Sequence, residues 1–189
     1  MTRFRVLAAD PAWQFDDKLP GASRGAARNY RVGSEEDLSR VLPTALVDLD
    51  AKLADDAFLF MWRVAAMVPL AYRLVERWGF VAKSELVWLK TRASGARHFG
   101  MGRTVRAAHE TCIIATRGRP QRASASVRSV FEAPVPTFST GRIIHSAKPD
   151  RFFEIVEELA GRGPRLELFA RRARPGWVAW GDQAPRAAS

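Results

Sequence analysis

The chain has 189 residues, a formal net charge of +10 and an apolar content of 47% that includes 6 Trp and 11 Phe. That composition excludes a disordered chain, and the length suits one domain able to bury a core. The positive excess comes chiefly from Arg, whose guanidinium groups bind phosphates bidentately, so a polyanionic partner is expected; an Arg- and Ala-rich composition would by itself give the same excess.

The first element is the apolar run Phe4 to Ala9, which stops at Asp10-Pro11 because proline cannot continue a paired strand. The strand therefore delivers Asp10 to its carboxyl end. Asp16 to Gly33 is polar and reads as a mobile loop, after which Ser34 caps a helix over Glu35 to Leu42. Ala57 to Trp62 is a compact strand, Val68, Ala71, Tyr72 and Val75 give Val64 to Arg77 helical spacing, and Ser84 to Leu89 is a buried strand, which together predict a βαβ unit.

From Thr91 to Ala108 the periodicity fails. Gly95, Gly100 and Gly102 alternate with Arg92, Arg97, Arg103 and Arg106, the pattern of a basic surface loop. Strands follow at Thr111 to Thr116, which carries the single cysteine Cys112, and at Val127 to Glu132. Pro149 opens a helix that runs through Ala160 and closes at Gly161 to Pro164, and short strands finish the chain at Leu166 to Phe169 and Trp177 to Trp180.

Alternating strands and helices predict an α/β fold with a mostly parallel sheet covered by helices on both faces. Ligands of such sheets bind at the carboxyl ends of the strands, so Asp10 and the residues after Phe169 should share one cleft. A lone cysteine fits a reducing compartment, and there is neither an apolar run of membrane-spanning length nor a leader pattern, so a cytoplasmic protein without a membrane partner is expected. His98, His109 and His145 are widely separated with no cysteine cluster, and no metal is expected.

Asp10-Pro11-Ala12-Trp13 is the most informative segment. A carboxylate and a backbone carbonyl offer two acceptors and an indole offers an aromatic face, a set that suits an aromatic amine acting as a nucleophile. Such an amine is weak because its lone pair is delocalised, and orientation helps it. Alone, an Asp-Pro sequence after a strand is merely a turn. Its company is His145-Ser146-Ala147-Lys148-Pro149-Asp150, Glu167-Leu168-Phe169-Ala170-Arg171, Gly176-Trp177 and Trp180-Gly181-Asp182-Gln183.

In these motifs, with Phe58-Leu59-Phe60-Met61-Trp62, Leu86-Val87-Trp88-Leu89-Lys90 and His109-Glu110 between them, the chain resembles the MT-A70 family of adenine methyltransferases from Phe4 to Gln183. The resemblance implies a Rossmann-like, S-adenosylmethionine-dependent methyltransferase fold in circularly permuted order, the catalytic motif before the cofactor motif. One domain over 1–183 with a short tail at 184–189 is expected. The reaction implied is methylation of the exocyclic 6-amino group of adenine in nucleic acid, with S-adenosylhomocysteine as product, and the small, Arg-rich chain adds the expectation that DNA is favoured over RNA. A non-catalytic nucleic-acid-binding partner of a heterodimer and a cytosine 4-amino methyltransferase are the alternatives, and homo- and heterodimers both stay open.

Carried over by position, Asp10 and the Pro11 carbonyl should hold the adenine amine, with Ala12 where the family usually has a second proline. Trp13 and Tyr30 should border a flipped base, and Ser146 should lie near the substrate. Asp10, Lys148, Glu167, Leu168, Phe169, Arg171, Asp182 and Gln183 should line the cofactor; Asp182 stands where relatives often carry Asn. A strand-end carboxylate such as Glu167 is the usual acceptor for ribose hydroxyls, and Lys148 beside a helix start favours a ligand carboxylate. Outside the family context the two would read as a solvated pair. Arg97, Arg103 and Arg106 are the residues expected on phosphates.

Overall fold

The computed structural model describes residues 1–13, 33–100, 104–144 and 147–185. The strands are β1 (Thr2–Ala9), β2 (Ala51–Arg63), β3 (Val81–Thr91), β4 (His109–Arg117), β5 (Val130–Pro134), β6 (Arg165–Leu168) and β7 (Val178–Trp180). The helices are α1 (Glu35–Asp48), α2 (Val68–Arg77) and α3 (Asp150–Ala160). One sheet holds all seven strands in the order β5-β3-β4-β2-β1-β6-β7. β1 pairs parallel with β2 and β6, β6 with β7 and β3 with β5, while β4 runs antiparallel to both β2 and β3.

β1 is central, so both of its faces must be apolar, and from Val6 to Ala9 it is a continuous buried apolar run for that reason. Leu7 and Ala9 pack with Leu38, Leu42, Leu74 and Val75 beneath α1 and α2, whereas Val6 and Ala8 pack with Phe60, Trp62, Phe152 and Val156 beneath α3. Helices thus cover both faces of a mostly parallel sheet, as the alternation of elements predicts.

The elements depart from the sequence reading at several points. α1 runs on past Leu42 to Asp48 with Pro43 inside it. Proline removes the N–H that would bond to the carbonyl four residues earlier, Ser39. The Trp78 indole donates to that Ser39 oxygen at 3.2 Å, so the break in the ladder leaves no orphan. At the other end, Ser34 and Asp37 form a reciprocal capping box, and Glu35, Glu36 and Asp37 place negative charge at the positive end of the helix dipole.

β2 begins six residues earlier than its apolar core, since Thr2 to Phe4 pair with Ala51 to Leu53 and the register then jumps to Val6 opposite Phe58. The intervening Ala54-Asp55-Asp56 lies in that irregularity, and its acids interrupt the apolar pattern. The expected βαβ unit of β2, α2 and β3 is split, because β4 occupies the slot between the two strands. β5 starts at Val130 rather than Val127, and Pro149 is the N-cap of α3 rather than its first residue. No helix among the described residues is long and apolar enough to cross a membrane.

Candidate active site

β1 and β6 run side by side, with Ala8 opposite Glu167 and Ala9 opposite Leu168. Side chains alternate along a strand, so Asp10 and Glu167 share the face of Ala8, toward α3, while Leu166 and Leu168 face α1 and α2. The two carboxylates sequence reasoning singled out therefore finish at one end of the sheet and on one face. The chain turns sharply after each strand. Trp13 N donates to the Pro11 carbonyl at 3.0 Å, and Phe169 takes a left-handed φ of 61°, a conformation uncommon outside glycine and concentrated at functional sites.

Lys148, in the segment leading into α3, donates to Asp10 Oδ2 at 2.6 Å and lies 3.4 Å from Glu110 Oε2. Its ammonium also stands 5.2 Å from the centre of the Trp62 ring. Glu110, at the start of β4, pairs in turn with Lys90 at the end of β3 at 2.6 Å. The antiparallel register, Trp88 opposite Glu110, is what brings these two charges together. Arg171 Nη2 approaches Asp10 Oδ2 at 3.5 Å from the segment after β6.

The outcome is a row of alternating charge: Lys90, Glu110, Lys148, Asp10, Arg171. Burial opposes ionisation of Glu110, yet Lys148 and Lys90 outweigh it and hold its carboxyl below the usual range. Burial likewise opposes the charge on Lys148, and Asp10 and Glu110 outweigh it to raise its pKa.

Glu167 is in the opposite condition. Burial pushes its carboxyl up to about 7, with Arg174 and Arg172 pulling it down and Asp10 pushing it up. Both arginines are held by Asp150, and Oε2 of Glu167 is buried with no hydrogen-bond partner among the described residues. A buried acceptor without a donor is costly, and a ligand hydroxyl would satisfy it.

The remaining expected residues are distributed as follows. Trp13 is buried at 3% exposure in the layer beneath α1, and its Nε1 has no partner among the described residues. It is part of a packed floor more than an open wall. The Ala12 carbonyl accepts from Gly33 N, closing the turn from the far side of 14–32. Asp182 and Gln183 are exposed just beyond β7, and Ala170 N donates to the Trp180 carbonyl, tying that region to the segment after β6.

Arg97 is exposed and 3.6 Å from Glu132. The described part of the surface loop carrying it extends β3 and β4, with His98 N bonded to Lys90 O and Gly100 N to Ala107 O. Arg106 is exposed on the same loop. Tyr30, Arg103, Ser146 and the expected mobile loop up to 32 lie outside the described residues. Among the described residues no group of three or more His, Cys, Asp or Glu is gathered as a metal would require.

Sequence reasoning assigned no role to Lys90, Glu110, Trp62, Arg172 or Arg174. Lys90 and Glu110 carried a usable signal, as charged residues at the ends of strongly apolar strands.

The MT-A70 family model matches residues 4–183. The chain belongs to the MT-A70 family. It is 27% identical over 188 residues to the N(6)-adenosine-methyltransferase catalytic subunit METTL3 of Homo sapiens, covering 96% of this chain and 28% of that protein. It is 33% identical over 189 residues to the N6-methyladenosine RNA methyltransferase MTA1 of Cryphonectria parasitica, covering 95% of this chain and 51% of that protein. An N(6)-adenosine-methyltransferase MT-A70-like protein of Arabidopsis thaliana is 28% identical over 186 residues, covering 95% of this chain and 24% of that protein. The MT-A70 chain thus spans from about a quarter to about half of the length of these relatives, and its mixed α/β sheet is that of a Rossmann-like methyltransferase domain.

Proposed function

We propose that this MT-A70 domain methylates the 6-amino nitrogen of adenine in nucleic acid, with S-adenosylmethionine as donor. The observation that carries the reading is the pairing of β1 with β6, which sets Asp10 and Glu167 on one face at one end of the sheet. Relatives named as adenosine methyltransferases support the choice of base.

The residues fit the donor. The orphaned oxygen of Glu167 suits a ribose hydroxyl, Lys148 and Arg171 supply cations for a carboxylate, and the exposed pair Asp182 and Gln183 can reach the outer part of a nucleoside. When bound, S-adenosylmethionine supplies an electrophilic methyl group and departs as S-adenosylhomocysteine. Asp10 accepts a hydrogen bond from the adenine amine and orients its lone pair, and the free lone pair of the Pro11 carbonyl accepts the second hydrogen. The carboxylate does not need to deprotonate the amine before attack; the nitrogen loses its proton to water once the new C–N bond has made it cationic.

Unstacking the base costs a few kcal/mol, which contacts in the pocket offset. The basic loop with Arg97, Arg103 and Arg106 grips phosphates and makes binding salt-dependent. Arginine binds the phosphates of DNA and RNA alike, and the name of the Cryphonectria relative specifies RNA, so the test presents both. Labelled-methyl transfer onto matched DNA and RNA, single- and double-stranded, followed by nucleoside analysis, should place the label on N6 of adenine. Asp10→Asn should lower that transfer by about 100-fold or more. Label on cytosine, or full activity in Asp10→Asn, would overturn the reading.

A further inference from the structure

At the opposite end of the sheet, beneath the amino-terminal half of β3, lies a cavity of about 500 Å³. Its apolar floor is made by Ile114, Val127 and Leu159, and its rim by the exposed cations Lys83, Arg122 and Arg128. Glu85 also lines it, but that carboxylate accepts from Arg63 and Tyr72 on the other face of β3. No ion pair among the described residues neutralises Lys83, Arg122 or Arg128. Arg117 and Arg119 continue the charge just outside, and the neighbouring acids are engaged: Asp56 accepts from Arg119 N, and Glu158 from Ser124.

An apolar floor under a cationic rim has the chemistry of a nucleotide unit, the base on the floor and the phosphate at the rim. Six residues of extended strand separate Ser84, at this cavity, from Lys90, at the catalytic end, a distance of roughly 20 Å. A group bound here cannot be the reacting nucleotide.

We infer that this cavity holds a distal nucleotide of a single-stranded stretch of the substrate, several units from the adenine being methylated. The inference rests on the nucleic-acid reading above, and substrate length separates the two. The full chain and its Arg122→Gln/Arg128→Gln double variant are compared by fluorescence anisotropy and methyl transfer on single strands of about 5 and about 25 nucleotides. Both side chains are exposed, and turnover on the short strand reports that the variant is folded.

The expected result is about tenfold weaker binding of the long strand, with binding and turnover on the short strand unchanged. The slope of log affinity against log salt should fall by about 1.4 for the long strand, the loss of two phosphate contacts. An unchanged long-strand affinity overturns the inference, and so does an equal loss on both lengths. Calorimetric binding of adenosine monophosphate that the double variant abolishes, with long-strand affinity intact, assigns the cavity to a free nucleotide and also overturns it. Failure of the unaltered protein to bind or methylate either strand defeats the functional reading itself, and this inference with it.

Discussion

Glu110 and Glu167 are both partly buried carboxylates at the same end of one sheet, and the protein treats them in opposite ways. Glu110 sits between Lys90 and Lys148, so its charge is matched by the chain itself and its pKa is lowered. Glu167 has an oxygen without a partner among the described residues and a pKa pushed up to about 7. One wall of the cleft is complete without ligand; the other carries an unmet hydrogen-bonding demand. Buried polar groups are ordinarily satisfied, so the exception marks where a ligand belongs.

The largest effect should come from breaking the complete wall. Lys148→Met leaves Asp10 and Glu110 facing each other without their shared cation, and urea unfolding should show a loss of about 3 kcal/mol. A loss below about 1 kcal/mol would mean that solvent already screens the row.

The unmet wall should respond with the opposite sign. Because the native state keeps a proton on Glu167 that the unfolded chain releases near its ordinary value of 4.5, this group's contribution to stability falls as pH rises from 4.5 to about 7 and is constant above. Glu167→Gln should therefore be more stable than the unaltered protein at pH 8, by on the order of 2 kcal/mol, with that part of the pH dependence gone. Equal stability across that window would show that the carboxyl is solvated.

The smallest effect belongs to Glu110→Gln. The lowered pKa of Glu110 contributes stability that is full above its ordinary 4.5 and is lost as pH falls through its folded value. The variant should cost about 1 kcal/mol at neutral pH and lose less than the unaltered protein on acidification. An acid limb as steep as before would assign that limb to other carboxylates.

The features legible in the sequence are those written locally. An apolar run halted by Asp10-Pro11 announces a strand end with a carboxylate on it, and Pro149 and Gly161 bracket α3. The neighbouring of β1 and β6 follows from the rule that parallel sheets bind ligands at strand ends, applied to a motif at each end of the chain. What escaped depends on distant partners. An apolar strand carries no mark of its direction, so β4 gave no sign of running antiparallel between β2 and β3. Pro43 looks like a helix terminator until Trp78 supplies the hydrogen bond its neighbour lacks. Lys148 reads as a cation beside a helix start that favours a ligand carboxylate, and its pairing with Asp10 spans 138 residues.

The division between a complete wall and a waiting wall is tested most directly by calorimetric titration of S-adenosylhomocysteine at about pH 8 into the unaltered protein, Asp10→Asn and Glu167→Gln. The account predicts binding within a few-fold for the first two and at least about tenfold weaker for Glu167→Gln, the loss of a hydrogen bond to a charged acceptor. Equal affinity in Glu167→Gln, or no binding to the unaltered protein, would contradict it.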